Sequence, residues 1–306
     1  MNALDLRGRT VVLTGASGGI GAALTSEFVA AGARVLAIGR DAARLQRVVQ
    51  THPQGAVVAL VADVADAVGR ADIVARAGTE NASMLVLAHA QSAFGLFEAQ
   101  SDDALERMLQ TNLTAPMLLI RALLPTLRAQ ASAQAPAAVV AVGSTFGALA
   151  FPGFAGYSAS KYGLRGLIEG LHREYADAPI RFQYLAPRAT RTDFNSAAVV
   201  AMNRELKTAE DAPETVAAAL RIAIERGVSR KQLGWPEALF VRLNALLPGL
   251  IDRNLKQQLP VVRRHAASAA SASRPSVAPA SSASSSVLST SVSSTSVPPS
   301  PVEAPQ

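Results

Sequence analysis

The sequence predicts an α/β fold with a doubly wound parallel sheet of about seven strands and helices on both faces. Short apolar runs rich in β-branched residues alternate with helical segments along most of the chain. The first of these units turns through a glycine-rich loop at residues 14–21, as Rossmann-like folds do. With 306 residues and a hydrophobic content of 49%, the chain can build a large core.

The predicted elements follow one another as repeated strand–helix units. Strands are predicted at 9–14, 35–39, 57–62, 84–88, 137–142, 180–185 and 232–235, and helices at 22–32, 42–50, 68–77, 103–129, 156–176 and 213–226. Strands this apolar are typical of a parallel sheet covered on both faces, with right-handed crossovers. A ligand is therefore expected at the carboxyl ends of the strands.

Three parts are predicted along the chain: a Rossmann-fold domain at 1–235, a helical extension packed on it at 236–265, and a disordered tail at 266–306. The extension is interrupted near Pro248 and carries cations beside its apolar face. It is compatible with packing on the domain or a partner subunit, with a lid over an apolar substrate, and with peripheral membrane contact. The tail is rich in Ala, Ser and Pro, so it cannot bury enough apolar surface to fold.

Composition excludes several classes of protein. The chain has no cysteine and four histidines without ligand-like spacing, so no metal site is expected. No uninterrupted apolar run reaches the roughly 18 residues of a membrane span. The first strand begins almost at once without an apolar leader, which predicts a cytoplasmic protein. The net charge is +6, but the basic residues are scattered, so nucleic-acid binding is not expected.

The glycine-rich loop is predicted to hold a phosphate group. Gly15 permits a tight turn, Gly19 lets the backbone approach a pyrophosphate, and Gly21 lets the following helix pack close to the strand. The N-terminus of that helix then offers unpaired N–H groups to the anion.

Tyr157 and Lys161 are four residues apart, which places their side chains one turn apart on the same face of a helix. An ammonium beside a phenol is expected to lower the tyrosine pKa from its ordinary value of about 10. Such a tyrosine can exchange a proton with a carbonyl or alcohol oxygen.

Residues 5–235 resemble the short-chain dehydrogenase/reductase family in its single-domain branch. The resemblance rests on five motifs in the family's order and spacing. These are Thr14-Gly-x-x-x-Gly-x-Gly21, Asp63-Val64, Asn112, Ser144 and Tyr157-x-x-x-Lys161.

The resemblance implies a role for each matching residue. Tyr157 would be the general acid and base, Lys161 would lower its pKa and bind the nicotinamide ribose, and Ser144 would polarise the carbonyl. Asn112 would hold a water of a proton relay, the alternative being an exposed helix asparagine. The implied cofactor-binding residues are Thr14, Gly15, Ser17, Gly18, Gly19, Ile20, Gly21, Arg40, Asp63, Val64, His89, Ala90, Tyr157, Lys161, Pro187 and Thr192.

Cofactor preference depends on the residue that follows the second strand. Arg40 stands there, and a guanidinium suits the 2′-phosphate of NADP(H) better than the ribose hydroxyl of NAD(H). The hydroxyl of Ser17 is expected to add a contact, so NADP(H) is favoured. The alternative is a surface arginine beside Asp41.

The chain departs from the family pattern in two places. His89-Ala90-Gln91 replaces the usual Asn-Ala-Gly after the fourth strand, and His89 is either a polar contact or a strand-stabilising substitute. After the sixth strand, Arg188 replaces the usual glycine. Arg188 and Arg191 either bind an acidic group of the substrate or cofactor or lie in a solvated loop.

The resemblance implies NADPH-dependent reduction of a ketone or aldehyde carbonyl, reversible as alcohol oxidation, and the apolar extension suggests an apolar substrate. Family members commonly form homodimers and homotetramers through their two longest helices. The apolar segment 117–120 is therefore expected to pack between subunits. The rival hypothesis is a non-catalytic NADP(H)-binding sensor or scaffold, prompted by the altered turn at residues 88–91.

Overall fold

The computed structural model describes residues 3–272, which contain a seven-stranded, fully parallel sheet in the order β3-β2-β1-β4-β5-β6-β7. The strands are β1 Thr10–Thr14, β2 Arg34–Gly39, β3 Val57–Val61, β4 Met84–Leu87, β5 Ala137–Val142, β6 Ile180–Ala186 and β7 Arg230–Gln232. The helices are α1 Gly19–Ala30, α2 Ala42–Gln50, α3 Ala67–Thr79, α4 Asp102–Leu109, α5 Ala115–Ala129, α6 Ala155–Glu174, α7 Ala197–Glu205, α8 Pro213–Glu225, α9 Glu237–Leu246 and α10 Pro248–Ala272.

Successive side chains of the buried strands pack alternately into two hydrophobic cores, one on each face of the sheet. Val11 and Leu13 of β1 pack with α1 and α8, whereas Val12 packs with α3, α5 and α6 on the other face. This alternation follows from the two-residue period of a strand. The prediction of a doubly wound, Rossmann-like sheet is confirmed.

The strand order reverses between β1 and β4, where the crossovers of the two halves leave in opposite directions. A crevice opens at the carboxyl ends of the strands at such a switch point. The turns that follow β1 to β6 all begin there, which brings distant segments of the sequence together.

The long helix predicted at 103–129 is divided by a π-helical segment, Gln110–Thr114, between α4 and α5. The wider turn carries Asn112, which is buried. The interpretation of Asn112 as an exposed helix residue is therefore wrong. The expectation that residues 117–120 pack between subunits is wrong for Leu119 and Ile120, which are buried against the chain's own sheet. Met117 is 46% exposed, so for this residue the expectation stays a prediction.

The C-terminal extension forms two helices, α9 and α10, which meet at Leu247. Val262 of α10 is buried beside Phe154, and Ala266 is buried as well. α10 continues to Ala272, so residues 266–272 of the predicted tail are helical. Alanine is the strongest helix former, which explains why this Ala- and Ser-rich segment extends the helix. Residues 273–306 of the predicted tail lie outside the described residues.

Among residues 3–272, no helix combines the length and the apolar character needed to cross a membrane.

Candidate active site

A cavity of about 400 Å³ lies at the carboxyl ends of the strands. It is lined by most of the residues that the sequence assigned to a cofactor or to catalysis. Those lining it are Gly15, Ser17, Gly18, Gly19, Ile20, Gly21, Arg40, Asp63, Val64, His89, Ala90, Ser144, Tyr157, Lys161, Pro187 and Thr192. Thr14 and Asn112 do not line the cavity. Thr14 contacts His89 of the lining, and Asn112 holds the backbone of the turn that follows β4.

The glycine loop forms a cradle that larger residues would fill. Gly15 has φ +69°, and a Cβ there would lie 2.7 Å from the backbone nitrogen of His89. A Cβ on Gly21 would lie 2.0 Å from the Gly15 carbonyl oxygen, and one on Gly19 would lie 2.4 Å from Thr192 Cγ2. No side chain caps the N-terminus of α1, so its first N–H groups remain free for an anion. The cradle therefore fits the pyrophosphate of a dinucleotide.

The far end of the cradle carries the polar groups predicted to select the cofactor. Arg40 follows β2, and its guanidinium is mostly exposed, 3.8 Å from an Asp63 carboxylate oxygen. Ser17 Oγ lies beside Gly39, 3.0 Å from the position of a Cβ there. At 3.8 Å the pair with Asp63 is weak, so the Arg40 guanidinium is available to a phosphate.

His89 is tied to the protein through both ring nitrogens. Nε2 lies 3.1 Å from the carbonyl oxygen of Thr111, and Nδ1 lies 2.6 Å from the hydroxyl of Thr14. Burial, with a smaller effect of Lys161, lowers the pKa of His89 to about 4. The ring is therefore neutral at pH 7, with Nε2–H donating to Thr111 and Nδ1 accepting from Thr14. These contacts favour the strand-stabilising interpretation of His89 and leave its ring without a polar atom for a ligand.

Asn112 connects the turn after β4 to helix α6. Its Oδ1 accepts from the Gln91 backbone N–H at 2.8 Å, and its Nδ2 donates to the Gln91 carbonyl at 2.7 Å. Nδ2 also donates to Ser160 Oγ at 3.0 Å, and Ser160 donates to the Tyr157 carbonyl at 2.7 Å. Both amide hydrogens are thus used within the protein. Gln91 is not among the cavity-lining residues, so its side chain does not obstruct the cavity.

Tyr157 and Lys161 are both buried on α6, but their electrostatics differ from the expectation. Lys161 Nζ donates to the Val142 carbonyl at 3.2 Å and lies 5.9 Å from the centre of the Tyr157 ring. Burial raises the pKa of Tyr157 to about 12, although a hydrogen bond with Ser144 acts in the opposite direction. Burial also lowers the pKa of Lys161 to about 8. The expectation that Lys161 lowers the Tyr157 pKa is wrong here, because desolvation outweighs the hydrogen bond with Ser144.

Ser144 is held in place by Tyr184, a residue that the sequence did not single out. The Ser144 backbone N–H donates to the Tyr184 hydroxyl at 3.3 Å, and that hydroxyl donates to the Lys161 carbonyl at 3.4 Å. A Cβ on Gly143 or Gly147 would collide with the Tyr184 ring or hydroxyl. Tyr184 is thus the packing support beneath both Ser144 and Lys161.

Aromatic side chains form the wall of the cavity around Tyr157. The ring centres of Phe146 and Phe154 are 5.1 Å apart, those of Phe146 and Phe151 are 5.4 Å apart, and that of Phe194 is 6.1 Å from Tyr157. All four phenylalanines line the cavity. The sequence held a signal for them, since three of its nine phenylalanines stand between Ser144 and Tyr157.

Arg188 forms a clasp between the loop after β6 and the C-terminal extension. Its guanidinium donates to both carboxylate oxygens of Asp211, at 2.8 and 2.7 Å, and to a carboxylate oxygen of Glu237 at 3.3 Å. It also donates to the Trp235 carbonyl at 2.9 Å. Four of its five N–H donors are used and its side chain is 18% exposed, so the interpretation of Arg188 as a solvated residue is wrong. Arg188 also lines the cavity, so its contact with an acidic group of the substrate or cofactor stays a prediction. The hydrogen bonds to Asp211 raise the pKa of Arg188 above its ordinary range.

Arg191, its neighbour in the loop, donates to the Glu210 carbonyl at 3.0 Å and is exposed. Within residues 3–272, no group of three His, Asp or Glu side chains could hold a metal ion.

A fold of this class binds a dinucleotide across the carboxyl ends of its strands, and here a buried tyrosine and a partly buried serine line the same cavity. These features are typical of dinucleotide-binding oxidoreductases. The sequence profile described as short chain dehydrogenase matches residues 9–203. The chain belongs to the short-chain dehydrogenase/reductase family, whose members act on carbonyl and alcohol groups.

A 3-dehydrosphinganine reductase of Arabidopsis thaliana is 33% identical over 194 residues, which cover 62% of this chain and 57% of the plant protein. Among solved structures, a short-chain dehydrogenase/reductase of Burkholderia phymatum in complex with NAD has a TM-score of 0.73 at 19% identity, covering 81% of this chain and 96% of that chain. A short-chain dehydrogenase of Burkholderia cenocepacia in complex with NADP has a TM-score of 0.70 at 22% identity, covering 82% and 99%.

The partly buried, neutral His89 predicts a pH-dependent loss of stability. Its pKa is about 4 in the folded protein against 6.5 for a free histidine, so the unfolded chain binds a proton first as the pH falls. The contribution of neutral His89 to the free energy of unfolding is complete above pH 6.5. It declines as the pH falls toward 4, by about 3 kcal/mol in total. The His89→Asn variant is expected to lack this part of the decline in the free energy of unfolding. Urea unfolding between pH 4 and pH 7 measures the difference.

The exposed histidine variant His172→Asn is the matched control and should follow the wild-type pH profile. An NMR titration of wild-type His89 should show no protonation above about pH 5. A His89 ring that titrates near pH 6.5 would contradict the assignment.

The hydrogen bonds of Arg188 predict that replacing Arg188 lowers the free energy of unfolding more than replacing Arg191 in the same loop. Arg188→Met is expected to lower the free energy of unfolding by about 2 kcal/mol, because Asp211 and Glu237 stay largely buried without their cation. Arg191→Met removes a single exposed hydrogen bond and should lose less than about 1 kcal/mol. Denaturant unfolding of both variants measures the difference, and equal losses would refute the clasp.

Proposed function

We propose that the protein reduces the carbonyl group of an apolar ketone or aldehyde with NADPH. The observation that carries this proposal is a single cavity with two unlike ends. One end is the glycine cradle with Arg40, and the other is Tyr157 and Ser144 within a wall of phenylalanines.

The polar end supports NADP(H) as the cofactor. The loop around Gly19 would hold the pyrophosphate at the N-terminus of α1, and Asp63 and Val64 would contact the adenine. Arg40 and Ser17 would bind the 2′-phosphate, because a guanidinium forms charge-assisted hydrogen bonds with phosphate oxygens. Pro187 and Thr192 would contact the nicotinamide. The solved neighbours contain NAD in one case and NADP in the other, so the preference rests on Arg40.

The other end supports proton transfer to a carbonyl oxygen. A nicotinamide held by these residues would supply the hydride that the carbonyl carbon accepts. Tyr157 gives the oxygen its proton, and its pKa of about 12 keeps the phenol protonated at neutral pH, as the reducing direction requires. Ser144 donates a hydrogen bond to the same oxygen. Lys161, with a pKa of about 8, adds positive charge beside the developing alkoxide.

Asn112 takes a positioning role in this proposal. Both of its amide hydrogens are used by Gln91 and Ser160, so it holds the turn after β4 and the helix that bears Tyr157. A water relay through its side chain would have to use the remaining lone pair of Oδ1.

The aromatic wall supports an apolar substrate. Phe146, Phe151, Phe154 and Phe194 line the cavity near Tyr157, and Val199 and Met202 of α7 add aliphatic surface. Burial of a substrate's apolar groups there would contribute about 25 cal/mol per Å². The name of the plant relative describes a reductase, which agrees with reduction as the favoured direction.

Replacement of Tyr157 by phenylalanine is expected to lower kcat at least a hundredfold, because a general acid contributes about 10²–10⁴ in rate. NADPH should bind with wild-type affinity, since the ring remains in place. A panel of apolar ketones and aldehydes, followed at the nicotinamide absorbance, measures turnover, and fluorescence titration measures binding.

Tyr162→Phe, on the same helix but outside the cavity lining, is the matched control and should keep wild-type activity. Tight NADPH binding by the wild type without turnover of any substrate class would favour the non-catalytic sensor instead.

Replacement of Arg40 by aspartate is expected to weaken NADPH binding by about tenfold to hundredfold, since a lost charge-assisted hydrogen bond costs about 1.5–3 kcal/mol. NADH binding should stay the same or improve, because a carboxylate accepts from the ribose hydroxyls. Titration of both cofactors against the variant measures the change.

Arg47→Asp is the matched control, because Arg47 is exposed on α2 outside the cavity lining. It should leave both affinities unchanged. An Arg40→Asp variant that keeps its NADPH affinity would overturn the preference for NADP(H).

A further inference from the structure

The junction of α9 and α10 exposes a cluster of leucines. Leu246, Leu247 and Leu250 have 78%, 56% and 53% of their surface exposed. They surround the Pro248–Gly249 turn at which α10 begins, and Trp235 and Phe240 of the same extension are exposed as well. Exposed apolar residues concentrated in one short segment mark an interaction site more often than single ones do. We refer to Leu246, Leu247 and Leu250 as the apolar tip.

α10 has two chemically different faces. Ile251, Leu255, Val262 and Ala266 follow a helical period and form the inward stripe, with Ile251, Val262 and Ala266 buried. The opposite side begins at Leu250 and continues through Arg253, Lys256 and Arg263, all exposed. At 100° per residue, these four positions share one side of the helix. We call Arg253, Lys256 and Arg263 the basic stripe.

The basic stripe has little acidic compensation. Residues 238–272 contain five Arg or Lys residues and a single acidic residue, Asp252. Arg264 and His265 pair with Glu205 of α7. Within the part of the chain that the structure describes, no ion pair is formed by Arg253, Lys256 or Arg263. The outward face of α10 is therefore positively charged and free to attract an anionic surface.

We propose that the apolar tip and the basic stripe together bind the surface of an anionic lipid bilayer. The leucines of the tip enter the boundary between headgroups and acyl chains, and the cations of the stripe contact anionic headgroups. Two signals of this kind are what interfacial attachment requires, since apolar insertion and charge attraction add. The net charge of +6 for the whole chain acts in the same direction.

A second copy of the chain is a poorer occupant of this surface. A self-association interface would bring two basic stripes toward each other without carboxylates to neutralise them, which is unfavourable. The proposal goes beyond the reductase activity and does not depend on it, because no cavity residue takes part.

Co-sedimentation with vesicles tests the proposal on the full chain. The wild type is expected to bind vesicles of phosphatidylcholine with about one third phosphatidylglycerol, to bind pure phosphatidylcholine weakly, and to lose binding as salt rises. The triple variant Leu246→Ser, Leu247→Ser and Leu250→Ser should reduce the bound fraction of anionic vesicles at least about tenfold. The double variant Arg253→Glu and Lys256→Glu should abolish the preference for anionic vesicles.

Matched controls lie on other elements. Val68→Ser removes an apolar residue on α3 that is 67% exposed, and Arg47→Glu with Arg226→Glu reverses two exposed cations on α2 and after α8. Both should bind like the wild type. All variants should keep the wild-type unfolding midpoint, because the changed side chains are exposed.

Equal binding to neutral and anionic vesicles would overturn the proposal, as would wild-type binding by the triple serine variant. A third outcome would overturn the proposal too. In it the wild type does not bind vesicles, and light scattering shows a lower oligomer mass for the triple variant than for the wild type. That result would identify the apolar tip as an interface between copies of the chain.

Discussion

The buried amide of Asn112 is the interaction on which the geometry of the site depends. It holds the backbone of Gln91 through two hydrogen bonds and reaches Ser160, which in turn holds the Tyr157 carbonyl. The end of β4, the π-helical segment and α6 are thereby fixed relative to one another. A buried amide left unpaired costs about 1–3 kcal/mol per group, so these contacts persist together. The wider π turn is what brings this amide between the two segments, as such turns often do at functional sites.

Burial, rather than pairing of charges, controls the protonation of the site. It raises the pKa of Tyr157 to about 12 and lowers those of Lys161 and His89 to about 8 and about 4. In each case desolvation favours the neutral form. At neutral pH the phenol therefore keeps its proton, the imidazole is uncharged, and Lys161 still carries most of its charge. A carbonyl oxygen near Tyr157 and Ser144 would meet proton donors and a single cation, an arrangement that stabilises developing negative charge.

The sequence predicted the sheet well, because the period of apolar residues and the glycine turn are local signals. The ranges 42–50 and 137–142 agree with α2 and β5, and the residues of five separate motifs line or support one cavity. Features that depend on distant partners were not accessible in this way. Arg188 finds its carboxylates 23 and 49 positions away, and no spacing rule joins them. Likewise the π turn at Asn112 has no propensity signature, and the pKa of Tyr157 depends on burial that spacing alone does not reveal.

The C-terminal extension links the interior of the molecule to its outer surface. Its inward side completes the hydrophobic cluster around Tyr157 through Val262, and Arg188 ties its start to the loop after β6 through Glu237. These contacts account for the buried residues of α10 but not for Leu246, Leu247 and Leu250, which pack against little of the chain. Exposed leucines oppose solubility without adding to the core. Since the inward stripe already fixes α10, insertion into a lipid surface would give the leucines at this turn a physical role that packing within the chain does not.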